Sequence, residues 1–391
     1  MSEWIEKRIR DIAVITMGQS PKSEYYNSEG EGIPFLQGNR TFGAKYPIFD
    51  TYTTSPAKVA DANDVIMSVR APVGDLNITP LKMSLGRGVC SLKAKNGNNQ
   101  FLYYLLSSSI PLILSRSNGT VYDSINRTDI EKMRVLVPEK DETQSRITEI
   151  LSVYDDAIEN NNRRIALLEQ AAQELYKEWF MRFRFPEHES IKYEHGLPIG
   201  WEQQTISMVA NIGRGSSPRP IMDPRYFKNG SIPWIKIADA TKSQKYIYET
   251  KEFVNEFGAS FSRKLPIGTM IIAASGTLGF PMFLGVEGCI HDGWMYFSKI
   301  RRISKEYLYF ALLSLRQYYN SISYGAAIQN INTDIIRKSM ILIPTEKVMN
   351  KFTINISIID EEMINLQKQN KNLSMQRDML LPRLMNGKLE V

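Results

Sequence analysis

The sequence is poor in the residues that build disulfide frameworks and metal centres. It has only two cysteines, Cys90 and Cys289, which lie far apart in the chain, and only three histidines. Two distant thiols are typical of buried, reduced cysteines, and three histidines are too few for a histidine-rich metal site. The sequence therefore predicts neither a disulfide framework nor a metal site.

Long apolar segments are also missing. No apolar run approaches the ~18 residues of a membrane span, and the opening residues, MSEWIEKRIRD, lack the apolar core of a signal peptide. We therefore expect a cytoplasmic protein that does not associate with membranes. The net charge of +6 and the sequence pI near 9.0 permit an anionic partner without requiring one.

The common catalytic motifs are absent as well. The sequence has no G-x-x-x-x-G-K-[ST] phosphate loop, no H-E-x-x-H, no paired C-x-x-C and no G-x-S-x-G. It also lacks the Asn-Pro-Pro-aromatic element with which amino-methyltransferases hold a target base. We therefore predict a chain that is not an enzyme, with no catalytic residue and no cofactor of its own.

Two long heptad repeats are the most prominent feature that is present. From Ile147 to Trp179, and again from Phe352 to Leu384, seam residues follow one another at alternating steps of four and three. This spacing is typical of long coiled-coil helices, which cannot bury their seams alone. The predicted seam residues are Ile147, Leu151, Ile158, Asn161, Ile165, Leu168, Leu175, Phe352, Ile356, Ile359, Leu366, Asn370 and Leu373.

Each seam carries one asparagine near its middle, Asn161 in the first and Asn370 in the second. A buried asparagine pair fixes the register of two helices at some cost in stability, so we expect the two seams to pack on each other. The alternative is two independent amphipathic helices, each packed on its own domain. Ordinary globular helices, however, average only ~11 to 12 residues.

The first half of the chain returns in the second half. The matching segments are 18–21 with 215–218, 33–37 with 232–236, 65–69 with 270–274, and 135–138 with 341–344. In each copy, β-branched and aromatic residues alternate with turn residues, which predicts short strands joined by long loops. Each copy then ends at a proline followed by one long helix.

We therefore predict an α+β tandem repeat of two mixed α/β modules, separated by two long antiparallel coiled-coil helices related by a pseudo-twofold axis. The predicted parts are module 1 (1–140), helix 1 (141–182), a linker (183–200), module 2 (201–345), helix 2 (346–385) and a C-terminal tail (386–391).

Polar and basic residues recur in the loops of both modules. Arg, Lys, Asn and Gln side chains match the donors and acceptors of base edges, or the charge of phosphates. Taken singly, each is more often a solvated surface charge. The candidate DNA-contacting residues are Gln37, Asn39, Arg40, Lys45, Arg70 and Arg87 in module 1, and Arg214, Arg219, Lys236, Lys242 and Lys245 in module 2.

This organisation resembles the specificity subunits of type I restriction-modification systems. The resemblance covers essentially the whole chain and rests on the repeated module-helix order, on the Trp and Gly-x-Ser-Pro openings, and on the ending Leu-Pro-Arg-Leu-Met-Asn-Gly-Lys-Leu at 381–389. It implies that the modules are target-recognition domains. Each would read one half of an asymmetric, bipartite sequence in double-stranded DNA, while the helices set the gap.

The resemblance also implies partner subunits. Two modification (methyltransferase) subunits would bring S-adenosylmethionine, and restriction subunits would use ATP and Mg²⁺. None of these groups is expected on this chain. A coiled-coil scaffold with two protein-binding heads is the alternative function, and an enzyme of unrecognised type is a third hypothesis.

Overall fold

The computed structural model describes residues 3–115, 124–240, 245–276, 278–323 and 330–391. The chain forms two compact units. Unit 1 comprises Met1–Arg163 together with Asn365–Val391, and unit 2 comprises Arg164–Ile364. Each unit contains one predicted module and part of each long helix.

Short strands form most of the module in unit 1. The strands are β1 (Trp4–Arg8), β2 (Ala13–Met17), β3 (Tyr26–Asn27), β4 (Ile33–Leu36), β5 (Tyr52–Thr53), β6 (Val59–Ala60), β7 (Val65–Ser68), β8 (Leu76–Ile78), β9 (Met83–Leu85), β10 (Val89–Ala94) and β11 (Arg134–Pro138). The helices are α1 (Ile9–Ile12), α2 (Asn99–Ser108), α3 (Ile110–Leu114), α4 (Arg127–Glu131) and the long α5 (Asp141–Tyr176), which continues into unit 2.

The strands of unit 1 form three sheets. One is antiparallel, with the order β2-β10-β7-β8. A second has the order β3-β5-β4-β9-β6 and joins β4 to β9 in parallel. The outer strands β1 and β11 pair antiparallel, so the strand just before α5 is tied to the start of the module.

Unit 2 is built from a second set of short elements. Its strands are β12 (Tyr193–Glu194), β13 (Leu197–Pro198), β14 (Glu202–Thr205), β15 (Asn211–Arg214), β16 (Ile232–Ile235), β17 (Tyr246–Ile247), β18 (Phe253–Val254), β19 (Arg263–Leu265), β20 (Met270–Ala273), β21 (Pro281–Leu284), β22 (Gly288–Ile290), β23 (Trp294–Ser298) and β24 (Met340–Ile343). Its helices are α6 (Ile206–Val209), α7 (Ile237–Ala240), α8 (Glu256–Ser260), α9 (Lys305–Ser323), α10 (Thr333–Lys338) and α11 (Glu346–Met385), which continues into unit 1.

The topology of unit 2 repeats that of unit 1. One sheet runs β15-β23-β20-β21-β17, a second runs β18-β16-β22-β19, and β14 pairs with β24 as β1 pairs with β11. The parallel pair β16–β22 corresponds to β4–β9. The sequence repeat is therefore a repeat of one fold.

The long helices complete the core of each unit. In unit 1, Ile147 and Leu151 of α5 and Leu384 of α11 are at most 1% exposed and join the module's main apolar cluster. In unit 2, Phe180 and Phe352 do the same, with ring centroids 4.8 Å apart. Because these residues are shared between module and coiled coil, neither part of a unit has a complete core without the other.

The helices run antiparallel in each unit. In unit 1, Asn161 Nδ2 donates to Asn370 Oδ1 at 3.0 Å, while Asp155 contacts Arg377, further along the second helix. The two asparagines therefore meet as predicted. All thirteen predicted seam residues are buried or half-buried. The predicted fold class, two mixed α/β modules with two long antiparallel helices, is confirmed.

The first long helix changes from α-helical to π-helical hydrogen bonding at its C-terminal end. Its α-helical part stops at Tyr176, and a π-helical turn covers Lys177–Met181. Trp179 and Phe180 are 6% and 1% exposed, so two adjacent large aromatics are buried together. The predicted linker that follows, 183–200, contains the antiparallel pair β12–β13.

Candidate nucleic-acid interface

Three loops of unit 1 meet in a group that we call loop cluster 1, defined by Ser20, Gln37 and Arg87. Ser20 lies after β2, Gln37 follows β4, and Arg87 occupies the turn between β9 and β10. The Ser20 hydroxyl donates to Oε1 of Gln37 at 2.8 Å. The same hydroxyl accepts the backbone N–H of Arg87 at 3.2 Å, so one serine joins the other two loops.

Glycine allows the loops of cluster 1 to approach this closely. The Gly86 N–H donates to the carbonyl of Leu36 at 2.8 Å, and the Gly88 N–H donates to that of Gln37 at 2.9 Å. A Cβ atom on Gly86 would lie 2.6 Å from the Cα of Gln37, which leaves room for glycine alone. Arg87, between the two glycines, is held on a fixed turn with its side chain exposed.

An open depression adjoins loop cluster 1. It is lined by Gln19, Ser20, Pro21, Ser23, Tyr26, Gln37 and Arg87. An amide, a hydroxyl and a guanidinium beside an aromatic ring are groups that hydrogen-bond to base edges and phosphates. The Arg87 side chain is exposed, so its charge is accessible to an anionic ligand.

The corresponding loops of unit 2 form loop cluster 2, defined by Ser217, Lys236 and Asp292. The backbone N–H of Asp292 reaches the hydroxyl of Ser217 at 3.3 Å, as Arg87 reaches Ser20. The scaffold is therefore the same in the two clusters. Two of the three side chains differ, since an amide and a guanidinium are replaced by an ammonium and a carboxylate.

Further backbone hydrogen bonds confirm the equivalence of the two clusters. The Gly215 N–H donates to the carbonyl of Trp294 at 2.8 Å, and the Gly18 N–H donates to that of Val89 at 3.0 Å. Each bond joins the loop after β2 or β15 to the first residue of the strand paired with it, β10 or β23. The repeat therefore extends to the loops and is not limited to the strands.

Arginine side chains surround Asp292 in loop cluster 2. Arg219 forms an ion pair with the Asp292 carboxylate at 2.5 Å, and Arg214 Nε donates to the Asp292 carbonyl at 3.0 Å. Lys236 pairs with Glu252 and is half-buried. Loop cluster 2 therefore presents an acid held between arginines, whereas loop cluster 1 presents one arginine beside an amide.

His291 lies next to Asp292 and is half-buried. The Gly293 N–H donates to its Nδ1 at 2.9 Å, and an Asp292 carboxylate oxygen lies 3.0 Å from the same nitrogen. Burial lowers the pKa of His291, against the opposing effect of Asp292. Burial therefore favours the neutral form of the ring.

The predicted contact residues differ in exposure. The exposed ones are Gln37, Arg40, Arg70, Arg87, Arg214 and Arg219, and the half-buried ones are Asn39 and Lys236. Arg40 pairs with Asp50 at 2.7 Å, and Asn39 donates to Asp75 at 2.6 Å, so both have partners in their own module. Lys242 lies outside the described residues.

Lys45 and Lys245 are buried, which corrects the prediction for these two residues. They are 7% and 4% exposed, and their ammonium groups pair with Asp155 and Asp360 of the long helices. DNA cannot reach a buried ammonium group that already has its counter-ion, so the prediction that these lysines contact DNA is wrong.

Sequence reasoning also missed that Ser20 and Ser217 join the loops of their clusters through hydrogen bonds. The repeated Gly-x-Ser-Pro segment contains both serines and could have indicated them.

Among the residues that the structure describes, no group of three or more His, Cys, Asp or Glu side chains could hold a metal ion. No helix among them is both long and apolar enough to cross a membrane.

A family model described as the type I restriction modification DNA specificity domain matches residues 1–170 and residues 198–373. The chain belongs to the type I restriction-modification specificity family. The two matched regions correspond to the two copies of the repeat, so each copy of this specificity fold carries one loop cluster.

Similar proteins are named type I restriction enzyme specificity subunits. The MjaIX specificity subunit of Methanocaldococcus jannaschii is 25% identical over 100% of this chain and 94% of its own length. The putative MjaX specificity subunit of that organism is 42% identical over 163 residues, which cover 41% of this chain and 38% of the relative. A specificity-subunit crystal structure from M. genitalium covers 98% of this chain and 96% of its own at 17% identity and a TM-score of 0.55, which shows a shared fold.

Proposed function

We propose that this specificity-family chain reads an asymmetric, bipartite sequence in double-stranded DNA. Each loop cluster would read one half-site, and the long helices would set the gap between them. The observation that carries this proposal is that loop clusters 1 and 2 share one scaffold but differ in side chains. Different side chains on equivalent scaffolds would read different half-sites, which makes the target asymmetric.

The chemistry of each cluster indicates which bases it suits. An arginine pairs with the O6 and N7 acceptors of guanine, and a glutamine pairs with the N6 and N7 groups of adenine. Loop cluster 1 offers both through Arg87 and Gln37. A carboxylate such as Asp292 accepts a hydrogen bond from the amino group of cytosine, while the arginines beside it suit guanine or phosphate.

We also infer that the chain recruits other subunits and performs no chemistry itself. Modification subunits would supply S-adenosylmethionine, and restriction subunits would use ATP and Mg²⁺. Large apolar side chains exposed on the long helices support such recruitment, because exposed apolar groups favour contact with another protein. They are Val153, Met375 and Met379 in unit 1, and Leu167, Ile354 and Ile358 in unit 2.

Replacing Arg87 with alanine is expected to relax one base position of one half-site. Loss of a bidentate contact to a base costs about 1–3 kcal/mol of discrimination, while the other half-site should stay unchanged. The measurement is methylome sequencing of cells that carry this chain and its modification subunit. Arg134→Ala is a matched control. Arg134 is also an exposed arginine, but it lies in β11, outside loop cluster 1, and pairs with Glu6 of β1.

The salt dependence of binding separates DNA recognition from the scaffold hypothesis. If the chain makes several phosphate contacts, raising the salt concentration from about 50 to 200 mM should weaken DNA binding by roughly 10³-fold.

The Arg87→Ala experiment also has outcomes that count against base reading. A uniform loss of binding for all sequences in this variant would assign Arg87 to a phosphate. Methylation by the complex that requires neither half-site would contradict the proposed function altogether.

Placing acids on the exposed face of α11 should weaken recruitment of the modification subunit. Ile354 and Ile358 are each 61% exposed and lie one helical turn apart, so the double change Ile354→Glu and Ile358→Glu would put two charges into any apolar interface there. Co-purification of the two subunits is the measurement. Asn355→Glu adds charge at an exposed neighbour and should retain the partner; equal recovery for both variants would exclude this face.

A further inference from the structure

Among the residues that the structure describes, each unit contains a buried lysine–aspartate ion pair. Lys45 Nζ lies 3.1 Å from Oδ2 of Asp155, and Lys245 Nζ donates to the two carboxylate oxygens of Asp360 at 2.6 and 2.7 Å. The four side chains are at most 9% exposed. Each pair joins a loop of the module to the long helix that follows that module in the chain.

The two pairs occupy equivalent places in the repeat. The carbonyl of Lys45 accepts the N–H of Ile78 in β8 at 2.8 Å, and the carbonyl of Lys245 accepts the N–H of Phe283 in β21 at 2.9 Å. These strands have the same place in their sheets. A tyrosine follows each lysine, and the two aspartates lie at the same distance from the first residues of α5 and α11.

Aromatic rings surround both ammonium groups. Lys45 Nζ lies 5.9 Å from the centre of the Tyr104 ring, and the Tyr104 hydroxyl donates to Asp155 at 2.5 Å. Lys245 Nζ lies 4.7 Å from the centre of the Tyr309 ring. Burial lowers the pKa of Lys245, and the charge of Asp360 opposes that effect. In such surroundings an ammonium group has few alternative partners.

Stability alone does not explain two such pairs. Replacing a buried ion pair by apolar residues of similar size is often neutral or stabilising, because the pair must be taken out of water. A buried charge does, however, specify position. Apolar contacts tolerate a shift of one helical turn, whereas an ammonium group moved away from its aspartate would be left without a counter-ion.

We propose that Lys45–Asp155 and Lys245–Asp360 are positioning pairs that hold each recognition module at one place along its own helix. They would thereby limit the enzyme complex to one gap length between half-sites. This inference rests on the proposed DNA-reading function. It adds that contacts between each module and its long helix would select one gap length between the half-sites. The length of the helices would set the gap length, and the positioning pairs would prevent the complex from using any other gap length.

Unit 2 offers the cleaner test, because Asp155 in unit 1 also binds Arg377. The test variant is Lys245→Met combined with Asp360→Leu, which removes both charges of the ion pair together. The exposed pair of the same unit, Lys264 and Glu287 at 2.8 Å, gives the control Lys264→Met with Glu287→Leu. A second variant, Asp360→Asn, keeps the shape of the aspartate and removes its charge.

The experiment is methylome sequencing of cells that carry the chain and its modification subunit, scored separately for half-site sequence and for gap length. The expected result is loss of single-gap selectivity, with unchanged half-sites and an undiminished unfolding midpoint of the purified chain. The control should keep the original gap. If the double variant does not fold, Asp360→Asn should show the same widening of gap length.

Two outcomes would overturn the proposal. One is an unchanged, single gap length in a folded double variant or in Asp360→Asn. The other is a uniform fall in methylation at every gap together with a lower unfolding midpoint in both variants, which a purely structural pair would produce. Failure of the proposed function looks different, because the unaltered chain would then direct no bipartite methylation at all.

Discussion

The Asp155→Ala variant is expected to lose about 3–5 kcal/mol of the free energy of unfolding in unit 1. Asp155 is 4% exposed and binds three groups: Lys45 at 3.1 Å, Arg377 at 2.7 Å and the Tyr104 hydroxyl at 2.5 Å. Its removal leaves two cations buried or half-buried without their shared counter-ion. The cost therefore comes mainly from the unpaired charges and much less from the lost packing of one small side chain.

Hydrogen exchange measured by mass spectrometry can assign this loss to a unit. Amides of unit 1 should exchange faster in Asp155→Ala, and the denaturation midpoint of that unit should fall. The control is Asp156→Ala, since Asp156 is the exposed neighbour on the same helix. Equal exchange in the two variants would mean that the buried pair contributes little to stability.

Removing one heptad from each long helix is expected to abolish methylation at the original gap. The structure indicates which segments to remove: 157–163 and 368–374, which contain the paired Asn161 and Asn370. Both seams stay in phase, and each helix becomes about 10 Å shorter, from seven residues at 1.5 Å each. That length corresponds to about three base pairs of duplex.

A shorter gap is expected wherever methylation returns, with both half-sites intact. Recovery should be partial, because three base pairs also turn the duplex by roughly a quarter to a third of its ~10.5-pair repeat. Methylome sequencing gives gap and half-sites together. The control Asn161→Leu with Asn370→Leu removes the asparagine pair without shortening either helix, so it measures any effect of the lost pair on the gap separately from the effect of helix length. A folded deletion variant that still uses the original gap would show that the helices do not measure it.

The coiled coil was the part of the fold that the sequence predicted best. A heptad pattern is local and periodic, so the seam and even the meeting of Asn161 with Asn370 follow from residue spacing. In the structure the second long helix covers Glu346–Met385. The π turn at Lys177–Met181 was not predicted, because it depends on how Trp179 and Phe180 pack in a core assembled from distant segments.

The charged residues were harder to interpret from sequence. The sequence predicts Lys45 and Lys245 as DNA-contacting residues because it does not show that their partners, Asp155 and Asp360, which lie more than a hundred positions away, come close to them. A charge is cheap to bury only beside its counter-ion, and sequence spacing does not show that proximity. A signal was nevertheless present, since the dipeptide Lys-Tyr occurs at equivalent points, 45–46 and 245–246.

The two units also differ in the number of chain segments that form them. Unit 2 is one continuous segment, Arg164–Ile364, whereas unit 1 joins Met1–Arg163 to Asn365–Val391, with all of unit 2 between them in the sequence. Leu384 is fully buried and shares an apolar cluster with Ile147 and Leu151, which precede unit 2 in the chain. Unit 1 therefore cannot complete its core until all of unit 2 has been synthesised. Because the entropy cost of closing a loop grows with the length of the loop, the module that is synthesised first is expected to complete its core after the second.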